Sequence, residues 1–276
     1  DDKRLHKFMR GRYGNKPLAQ MARRAMEPKS TNKQEEVTIV TACDAKYVGH
    51  LQETYPNWVK YKGIDKFPMI LYINGFDSGE ADSRLDFIRE HPSLTIIPWE
   101  MPNAASQRER MLSAFVFGAA RDVKTPYWIK IDADAFATNN RPIIEPKMLE
   151  YALCGHKWHY TKPGTWIADL DKWARSKPEF EGTKDLFDPQ RLNGRRYMHE
   201  RVASYVQIHN SEFVRMAASL AGDRLPVPSQ DTYLWYVAAR LGLKWKRHNF
   251  KRFSGMSNKS QLNLLKDKIT EVENNE

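Results

Sequence analysis

Short apolar runs alternate with amphipathic stretches in the part of the chain that follows residue 36. Four runs rich in β-branched and aromatic residues predict buried strands: Val37 to Ala42, Met69 to Ile73, Leu94 to Pro98 and Tyr127 to Asp132. Apolar residues at helical spacing predict helices over Ser83 to Glu90 and Ala104 to Asp122. Strands that alternate with helices indicate an α/β fold whose central, mostly parallel sheet is flanked by helices.

The pattern becomes less regular after residue 134. Residues 151–200 are rich in Trp, His, Tyr, Arg and Pro, which predicts a loop-rich region that shapes a pocket more than it builds a sheet. Order returns at Arg201 to His209, and two helices are predicted over Ser211 to Ala221 and Ser229 to Leu241, where Gly242 is a typical stop. A basic, aromatic strand or loop follows, over Lys244 to Phe253.

Two polar extensions flank this α/β region. Residues 1–36 carry ten Lys and Arg against five acidic residues, which indicates a basic, partly helical N-terminal extension. Residues 256–276 are predicted to form a polar helical tail. We therefore expect a single domain over residues 37–255.

Composition and charge narrow the function classes. The chain has 276 residues, of which 41% are hydrophobic, enough for a real core, and its formal net charge of +10 implies an anionic partner. A nucleotide diphosphate, an anionic lipid surface and nucleic acid all satisfy that charge. The apolar runs are shorter than the roughly 20 residues that a membrane-spanning helix needs. Cys43 and Cys154 form no CxxC pair, which argues against a disulfide framework or a zinc finger and favours the cytoplasm.

The acidic pair Asp132 and Asp134 directly follows the fourth predicted strand. In open α/β sheets, ligands bind outside the carboxyl ends of strands. Residues i and i+2 of an extended segment face the same side, so both carboxylates can approach one divalent cation. A turn or a helix cap explains so short a pattern equally well. A calcium-binding EF-hand loop is excluded, because Ala137 and Ile143 stand where it requires Gly and Glu.

The run from Ile129 to Asp134 resembles the DxD motif of GT-A glycosyltransferases, in which two acids hold Mn²⁺ or Mg²⁺ on the diphosphate of a nucleotide sugar. The segment Val37 to Asp44 is similar to the first strand of that fold. The resemblance covers about residues 37–255 and implies a GT-A-like, Rossmann-type domain. Residues 37–135 would form its nucleotide-binding half and residues 136–255 its acceptor-binding half.

The resemblance also implies a set of donor-side residues. The base and ribose would contact Thr41, Ala42 and Asp44, and the diphosphate and its metal would contact Asp132, Ala133 and Asp134. An Arg from the helix before the acids would reach the nucleotide, with Arg110 as the better positional match and Arg108 as the second. His248 would complete the metal site, and Lys246 and Lys251 would neutralise the leaving diphosphate. Solvated surface positions, or a nucleic-acid patch around residues 244–253, are the alternatives for these basic residues.

On the acceptor side, Ser229-Gln230-Asp231 resembles the xED motif of the same fold, with Gln in place of Glu. The resemblance implies that Asp231 is the general base of an inverting reaction. Capping of the helix that starts here is a compatible interpretation. The acceptor wall is predicted to contain Trp158, His159, Trp166 and Asp169, because aromatic faces stack on sugar rings; these aromatics could instead fill a small secondary core.

These predictions together indicate a metal-dependent glycosyltransferase that moves a sugar from a nucleotide-sugar donor, expected to be a UDP-sugar, to a hydroxyl of a glycan or lipid-linked saccharide. The basic extension would allow peripheral contact with an anionic membrane. A haloacid-dehalogenase-like phosphatase with Asp132 as nucleophile is a second hypothesis, although Phe136 stands where that motif requires Thr or Val. A non-enzymatic, basic nucleic-acid-binding protein is a third, and it leaves the paired acids unexplained.

Overall fold

The computed structural model describes residues 37–76, 83–161, 165–193, 196–247 and 253–255. The basic extension over residues 1–36 and the tail over residues 256–276 lie outside these described residues. The four strands predicted for the first half are present as β1 (Val37–Asp44), β2 (Met69–Asn74), β3 (Leu94–Pro98) and β4 (Tyr127–Ile131). Most of their residues are buried, as expected of parallel strands that are covered on both faces.

The first half of the sheet is parallel, in the order β3-β2-β1-β4. Ile39 of β1 lies opposite Met69 of β2 on one side and opposite Ile129 of β4 on the other. This arrangement confirms the prediction of a mostly parallel sheet for the region that contains the acidic pair. The carboxyl ends of β1 and β4 consequently lie side by side.

The second half of the sheet corrects the prediction of a loop-rich region over residues 151–200. Its strands are β6 (Leu153–Thr161), β7 (Leu192–Asn193), β8 (Arg196–Asn210) and β9 (Trp245–Arg247). β8 pairs antiparallel with both β4 and β6, and β9 runs parallel to β6 at the sheet edge. Leu153 pairs with His209, 56 positions along the chain, so the strand depends on a long-range partner that local composition does not reveal. A separate two-stranded sheet joins β5 (Ala135–Ala137) to β10 (Phe253–Gly255).

Helices cover both faces of the sheet. In chain order they are α1 (Val48–Lys62), α2 (Asp86–Arg89), α3 (Gln107–Ser113), α4 (Ala119–Asp122), α5 (Thr165–Arg175), α6 (Ser211–Ala221) and α7 (Gln230–Arg240). A π-helical segment, Ala114–Gly118, joins α3 to α4, so the predicted helix over Ala104 to Asp122 forms from Gln107 onward. Short 3₁₀ turns occur at Ile64–Lys66, Pro146–Glu150, Pro178–Phe180 and Pro189–Arg191. The pattern did not predict α1, which has Pro56 inside it, a residue that costs a helix interior one hydrogen bond.

Two hydrophobic cores fill the layers on either side of the sheet. One contains Trp128 of β4 together with Phe213 of α6 and Tyr233 of α7. The other contains Ile129 of β4 and Trp58 of α1. Neighbouring residues of β4 therefore point into opposite cores, as the two-residue period of a strand requires. No helix among the described residues combines the length and the apolar character needed to cross a bilayer.

Candidate functional site

A cleft of about 490 Å³ opens where β1 and β4 end. Its volume falls within the roughly 300–1,000 Å³ of small-molecule sites. The walls come from the end of β1 and the turn after it, from α3 and the π-helical segment, and from the acidic turn after β4. The lining residues are Ala42, Cys43, Asp44, Lys46, Tyr47, Gln107, Arg108, Met111, Leu112, Phe115, Asp132, Ala133 and Asp134.

The acidic pair lies on a turn rather than on an extended strand. β4 ends at Ile131, and the backbone N–H of Ala135 donates to the carbonyl of Asp132 at 2.9 Å. The N–H of Asp132 donates to the carbonyl of Tyr205 at 2.8 Å, which ties the turn to β8. The expectation that Asp132 and Asp134 share one side of a strand is therefore wrong in its geometry. The turn nevertheless brings both residues to the wall of the same cleft.

Side chains of α1 hold the segment that carries these acids. Thr54 donates to the carbonyl of Ala133 at 2.8 Å, and the indole N–H of Trp58 donates to the carbonyl of Ala135 at 2.6 Å. Asn57 makes two hydrogen bonds with the backbone of Ala137, accepting at 2.7 Å and donating at 3.1 Å. Side chains of α1 thus pair backbone polar groups of Ala133, Ala135 and Ala137, which holds the acidic turn against the helix.

A buried lysine, which the sequence did not single out, joins the acidic turn to the start of α7. Lys130 Nζ lies 3.1 Å from Asp132 Oδ1 and 3.2 Å from Asp231 Oδ1. The Lys130 side chain is 2% exposed, whereas those of Asp132 and Asp231 are 26% and 18% exposed. One ammonium group therefore contacts two carboxylates that also face solvent. The signal for it was a charged residue inside an otherwise apolar strand.

Negative charge exceeds positive charge at this point. Burial raises the pKa of Asp132 to about 7; the Lys130 ammonium opposes the shift, while Asp231 and Asp134 add to it. Burial also disfavours the charged form of Lys130, but Asp132 and Asp231 outweigh it and raise the pKa of Lys130. A further cation beside Asp132 would relieve the repulsion among the carboxylates.

The donor atoms fit a hard divalent cation. Asp132 and Asp134 offer carboxylate oxygens at the cleft wall, and Mg²⁺ or Mn²⁺ is commonly held by one or two carboxylates together with water and substrate phosphates. No group of three or more His, Cys, Asp or Glu side chains converges within the described part of the chain. His248, the expected third ligand, lies outside the described residues. Of the predicted metal ligands, the two acids are thus the ones that the structure places at the cleft wall.

The end of β1 forms the opposite wall. Asp44 Oδ1 accepts hydrogen bonds from the backbone N–H groups of Lys46 at 3.1 Å and Tyr47 at 2.9 Å, which orders the turn after the strand. Tyr47 is 42% exposed at the cleft rim, an unusual position for a large ring. Of the three residues predicted here, Ala42 and Asp44 line the cleft, whereas Thr41 is fully buried behind it. Sequence analysis missed Tyr47 and Lys46, although an aromatic residue shortly after a strand-ending Asp was a usable signal.

The two arginines of α3 take different places. Arg108 lines the cleft. Arg110 instead donates to Gln107 Oε1 at 2.9 Å and to Asn74 Oδ1 at 3.4 Å, and it does not line the cleft. Residues two apart on a helix do not share a face, so only one of the pair could meet the cleft. The sequence ranked Arg110 first, and the structure places Arg108 at the site.

Asp231 lies in the first turn of α7, as the capping interpretation expected. Ser229 is the N-cap, and its hydroxyl accepts from the N–H of Thr232. Asp231 Oδ1 accepts hydrogen bonds from both Lys130 Nζ and the side-chain amide of Gln230. The helix start and the contact with Lys130 therefore hold Asp231 near the acidic turn, though it is not among the residues that line the cleft.

Trp166, Asp169 and Lys246 are not among the residues that line the cleft. Trp166 packs against the core beneath α5, and Asp169 is exposed on the same helix. Lys246, on the edge strand β9, lies 5.1 Å from the ring centroid of Tyr151. Trp158 and His159 lie on β6 with side chains outside the described part of the structure, and Lys251 lies wholly outside it.

The order of the strands, the helices on both faces and the acid-bearing turn after β4 define a GT-A fold of the kind found in glycosyltransferases. No protein-family model and no curated protein sequence matches the chain. The likeness is therefore one of structure.

Solved mannosyltransferase structures share this fold. Core-mannan synthase A (CmsA/Ktr4) from Aspergillus fumigatus, in its Mn/GDP form, matches with a TM-score of 0.52 and 12% identity over 80% of this chain and 75% of that chain. The mannosyltransferase Ktr4p from S. cerevisiae matches with a TM-score of 0.50 and 10% identity over 89% and 84%. Its complex with GDP matches with a TM-score of 0.50 and 9% identity over 88% and 83%. At identities this low the structural likeness shows the fold alone, so the chemistry has to be argued from the site.

Proposed function

We propose that the protein is a metal-dependent glycosyltransferase, which transfers a sugar from a nucleoside-diphosphate sugar to a hydroxyl group of an acceptor. The observation that carries this proposal is the position of Asp132 and Asp134 on the wall of the cleft where β1 and β4 end. Ligand sites of open α/β sheets occur at this edge, and paired acids suit a cation that binds a diphosphate.

The cleft offers a contact for each part of such a donor. Asp132 and Asp134 would hold Mn²⁺ or Mg²⁺, which when bound supplies positive charge to the diphosphate leaving group. Arg108 and Lys46 add cationic side chains on the same walls. Ala42 and Asp44 would contact the nucleoside, and the exposed ring of Tyr47 offers a face on which a base can stack.

The nucleotide of the donor is a separate question within this proposal. The sequence resemblance favours a UDP-sugar. Two of the solved structures with this fold are described with GDP. GDP-mannose and the common UDP-sugars are therefore the donors to compare.

On the acceptor side, Asp231 would take the proton of the attacking hydroxyl in an inverting reaction. Its contact with Lys130, and through it with Asp132, supports a place beside the reacting sugar. The acceptor itself, a glycan or lipid-linked saccharide, would meet Trp158, His159, Trp166 and Asp169. His248, Lys246 and Lys251 keep their proposed roles at the metal and the leaving diphosphate.

Isothermal titration with each nucleotide sugar, with and without Mn²⁺, tests the proposal. We expect metal-dependent binding of one donor class, and we expect Asp132→Asn and Asp134→Asn each to weaken it by at least about 100-fold, because each removes a charged ligand. Asp223→Asn, which changes an exposed acid after α6, is the matched control and should bind like the wild type.

Two results would contradict the proposal. Full metal-dependent turnover in the Asp132→Asn/Asp134→Asn double variant would show that these acids are not needed to hold the metal ion. Release of inorganic phosphate from simple phosphomonoesters, without affinity for any nucleotide, would favour the phosphatase hypothesis with Asp132 as nucleophile.

A further inference from the structure

Lys130 lies between the two acids to which the proposed function gives different tasks. Asp132 belongs to the donor side, at the end of β4, and Asp231 belongs to the acceptor side, at the start of α7. The two acids are 99 positions apart in the chain, and Lys130 Nζ contacts both, at 3.1 and 3.2 Å. The ammonium group is therefore the point at which the two halves of the proposed site meet.

The surroundings of Lys130 restrict how its side chain can move. Its backbone belongs to a strand paired on both sides, with Val40 of β1 and with Gln207 of β8. Its side chain is almost fully buried, and Nζ lies 5.2 Å from the ring centroid of Phe115. Burial of an ammonium group lowers the stability of the fold unless nearby opposite charges offset the loss of hydration, and here two carboxylates do so. Lys130 therefore has one well-defined position for its charge.

Gln230 acts on the same oxygen of Asp231. Its side-chain amide donates to Asp231 Oδ1, the atom that also accepts from Lys130. Two donors on Oδ1 restrict the rotation of the carboxylate, and Oδ2 is the oxygen that neither of them contacts. A Glu at position 230, as in the related motif, could not donate when ionised, so the Gln at this position suits the arrangement.

We propose that Lys130 is a positioning residue, which holds Asp231 in the orientation needed to accept a proton and keeps its distance from Asp132 constant. This inference rests on the proposed function. In the step concerned, Asp231 Oδ2 takes the proton of the acceptor hydroxyl and the acceptor oxygen bonds to the anomeric carbon. The bond from that carbon to the diphosphate oxygen breaks, and its electron pair leaves with the diphosphate.

Lys130→Met tests the inference, because Met has a similar length and no charge. We expect kcat for transfer to fall by about 100-fold, the size of loss that a small misplacement of a reacting group produces. The KM for the donor should change much less, since the cleft walls at β1 and α3 remain intact. Lys124→Met, at an exposed lysine outside the site, is the matched control and should leave kcat unchanged.

A double-mutant cycle separates positioning from general support of the fold. If Lys130 acts through Asp231, the loss caused by Lys130→Met should nearly vanish in the Asp231→Asn background. Losses that multiply in the double variant would show that Lys130 serves only the fold and would overturn the inference. Lys130→Arg, which keeps a charge within reach of both acids, should restore much of kcat.

The outcomes also distinguish this inference from the proposed function. A wild-type protein that transfers sugar, together with a Lys130→Met variant of unchanged kcat, overturns the inference alone. A wild-type protein that transfers sugar from no nucleotide donor overturns both. Should Lys130→Met fail to fold, Lys130→Gln carries the same cycle, because its amide still donates a hydrogen bond to one acid.

Discussion

At the scale of single residues, β8 places buried polar side chains next to the strand that leads to the candidate site. Gln207 and His209 of β8 are fully buried, and their side-chain polar atoms have no hydrogen-bond partner among the described residues. The His209 ring stacks on Trp128 with centroids 4.3 Å apart. Burial, with a contribution from the Lys130 charge, lowers the pKa of His209 well below 6.5. An unpaired buried polar group costs about 1–3 kcal/mol, so we expect His209 to lower the free energy of unfolding.

His209→Phe should therefore stabilise the protein, and more so in acid. Below pH 6.5 the histidine of the unfolded chain binds a proton that the buried one does not, so the free energy of unfolding of the wild type falls by about 1.4 kcal/mol per pH unit from this residue. Phenylalanine keeps the stack on Trp128 and does not titrate. Urea unfolding from pH 5 to pH 9 checks this: the gap between variant and wild type should widen below pH 6.5 and stay constant above pH 7.5. A difference in the free energy of unfolding that does not change with pH would contradict the lowered pKa of His209.

At the scale of elements, the π-helical segment Ala114–Gly118 between α3 and α4 packs against the sheet and the candidate site. Phe115 reaches the cleft and lies beneath Lys130, while Gly118 packs against the ring of Tyr72. A Cβ at Gly118 would lie 2.7 Å from Tyr72 Cζ, which is closer than real contacts. The Tyr72 hydroxyl donates to Asp122 of α4 at 3.0 Å, so the ring has little room to move away.

Gly118→Ala should consequently lower the free energy of unfolding by about 1–3 kcal/mol, the usual effect of overpacking a core. Gly49→Ala is the matched control in α1, because a Cβ there meets nothing within 4 Å. That change should be neutral or stabilise the helix by up to about 1 kcal/mol. Chemical denaturation of both variants measures the difference, and equal stabilities would refute the packing argument.

A buried ion pair links α5, α7 and the segment between α5 and β7. Arg240 donates to Asp171 at 2.9 Å, and both side chains are 2% exposed. Asp171 also accepts from the Tyr236 hydroxyl at 2.6 Å and from the backbone N–H groups of Leu186 and Phe187. Loss of one partner would leave a buried charge without its counterpart, which is among the most costly changes in a protein interior.

Arg240→Met is therefore expected to destabilise the fold by about 3–5 kcal/mol. Arg175→Met removes an arginine that is 66% exposed and pairs with Asp185, so it should lower the unfolding temperature much less than Arg240→Met does. Thermal unfolding followed by circular dichroism distinguishes the two. A comparable loss of thermal stability in both variants would mean that burial does not determine how much the Arg240 ion pair stabilises the fold.

At the scale of the whole molecule, charge is distributed unevenly along the chain. Residues 1–36 contain ten basic and five acidic residues, so they supply +5 of the net charge of +10. At the candidate site, in contrast, Asp132 and Asp231 contact Lys130, and Asp134 adds a further negative charge that acts on Asp132. A basic segment outside the α/β domain is suited to a negatively charged surface, which agrees with the expected peripheral contact of residues 1–36 with an anionic membrane.

Deletion of residues 1–36 tests that assignment. We expect the full chain to sediment with vesicles that contain phosphatidylserine. High salt should dissociate the protein from the vesicles, because the attraction is electrostatic. The shortened chain should bind them distinctly less while keeping donor binding. Neutral phosphatidylcholine vesicles are the control. Unchanged vesicle binding after the deletion would count against the assignment.

The sequence by itself determined the parallel half of the fold and the place of the acidic pair. β1, β2 and β4 were predictable because strands buried on both faces are mostly apolar, and β3, at the sheet edge, was predictable from its own short apolar run. Both properties are local. Asp132, Asp134 and the N-terminus of α7 were predictable for a related reason: they follow the ends of such elements. A pattern along the chain is sufficient wherever the cause lies within a few residues.

Only the tertiary structure decided which distant residues meet. The pairing of β6 with β8, the choice of Arg108 over Arg110 and the burial of Thr41 each depend on partners far along the chain. Lys130 is the clearest case, because its contact with Asp231 spans 101 positions. Such contacts arise from the packing of whole elements. The role of a charged residue inside an apolar strand can be recognised only when the structure shows which opposite charge the facing helix places beside it.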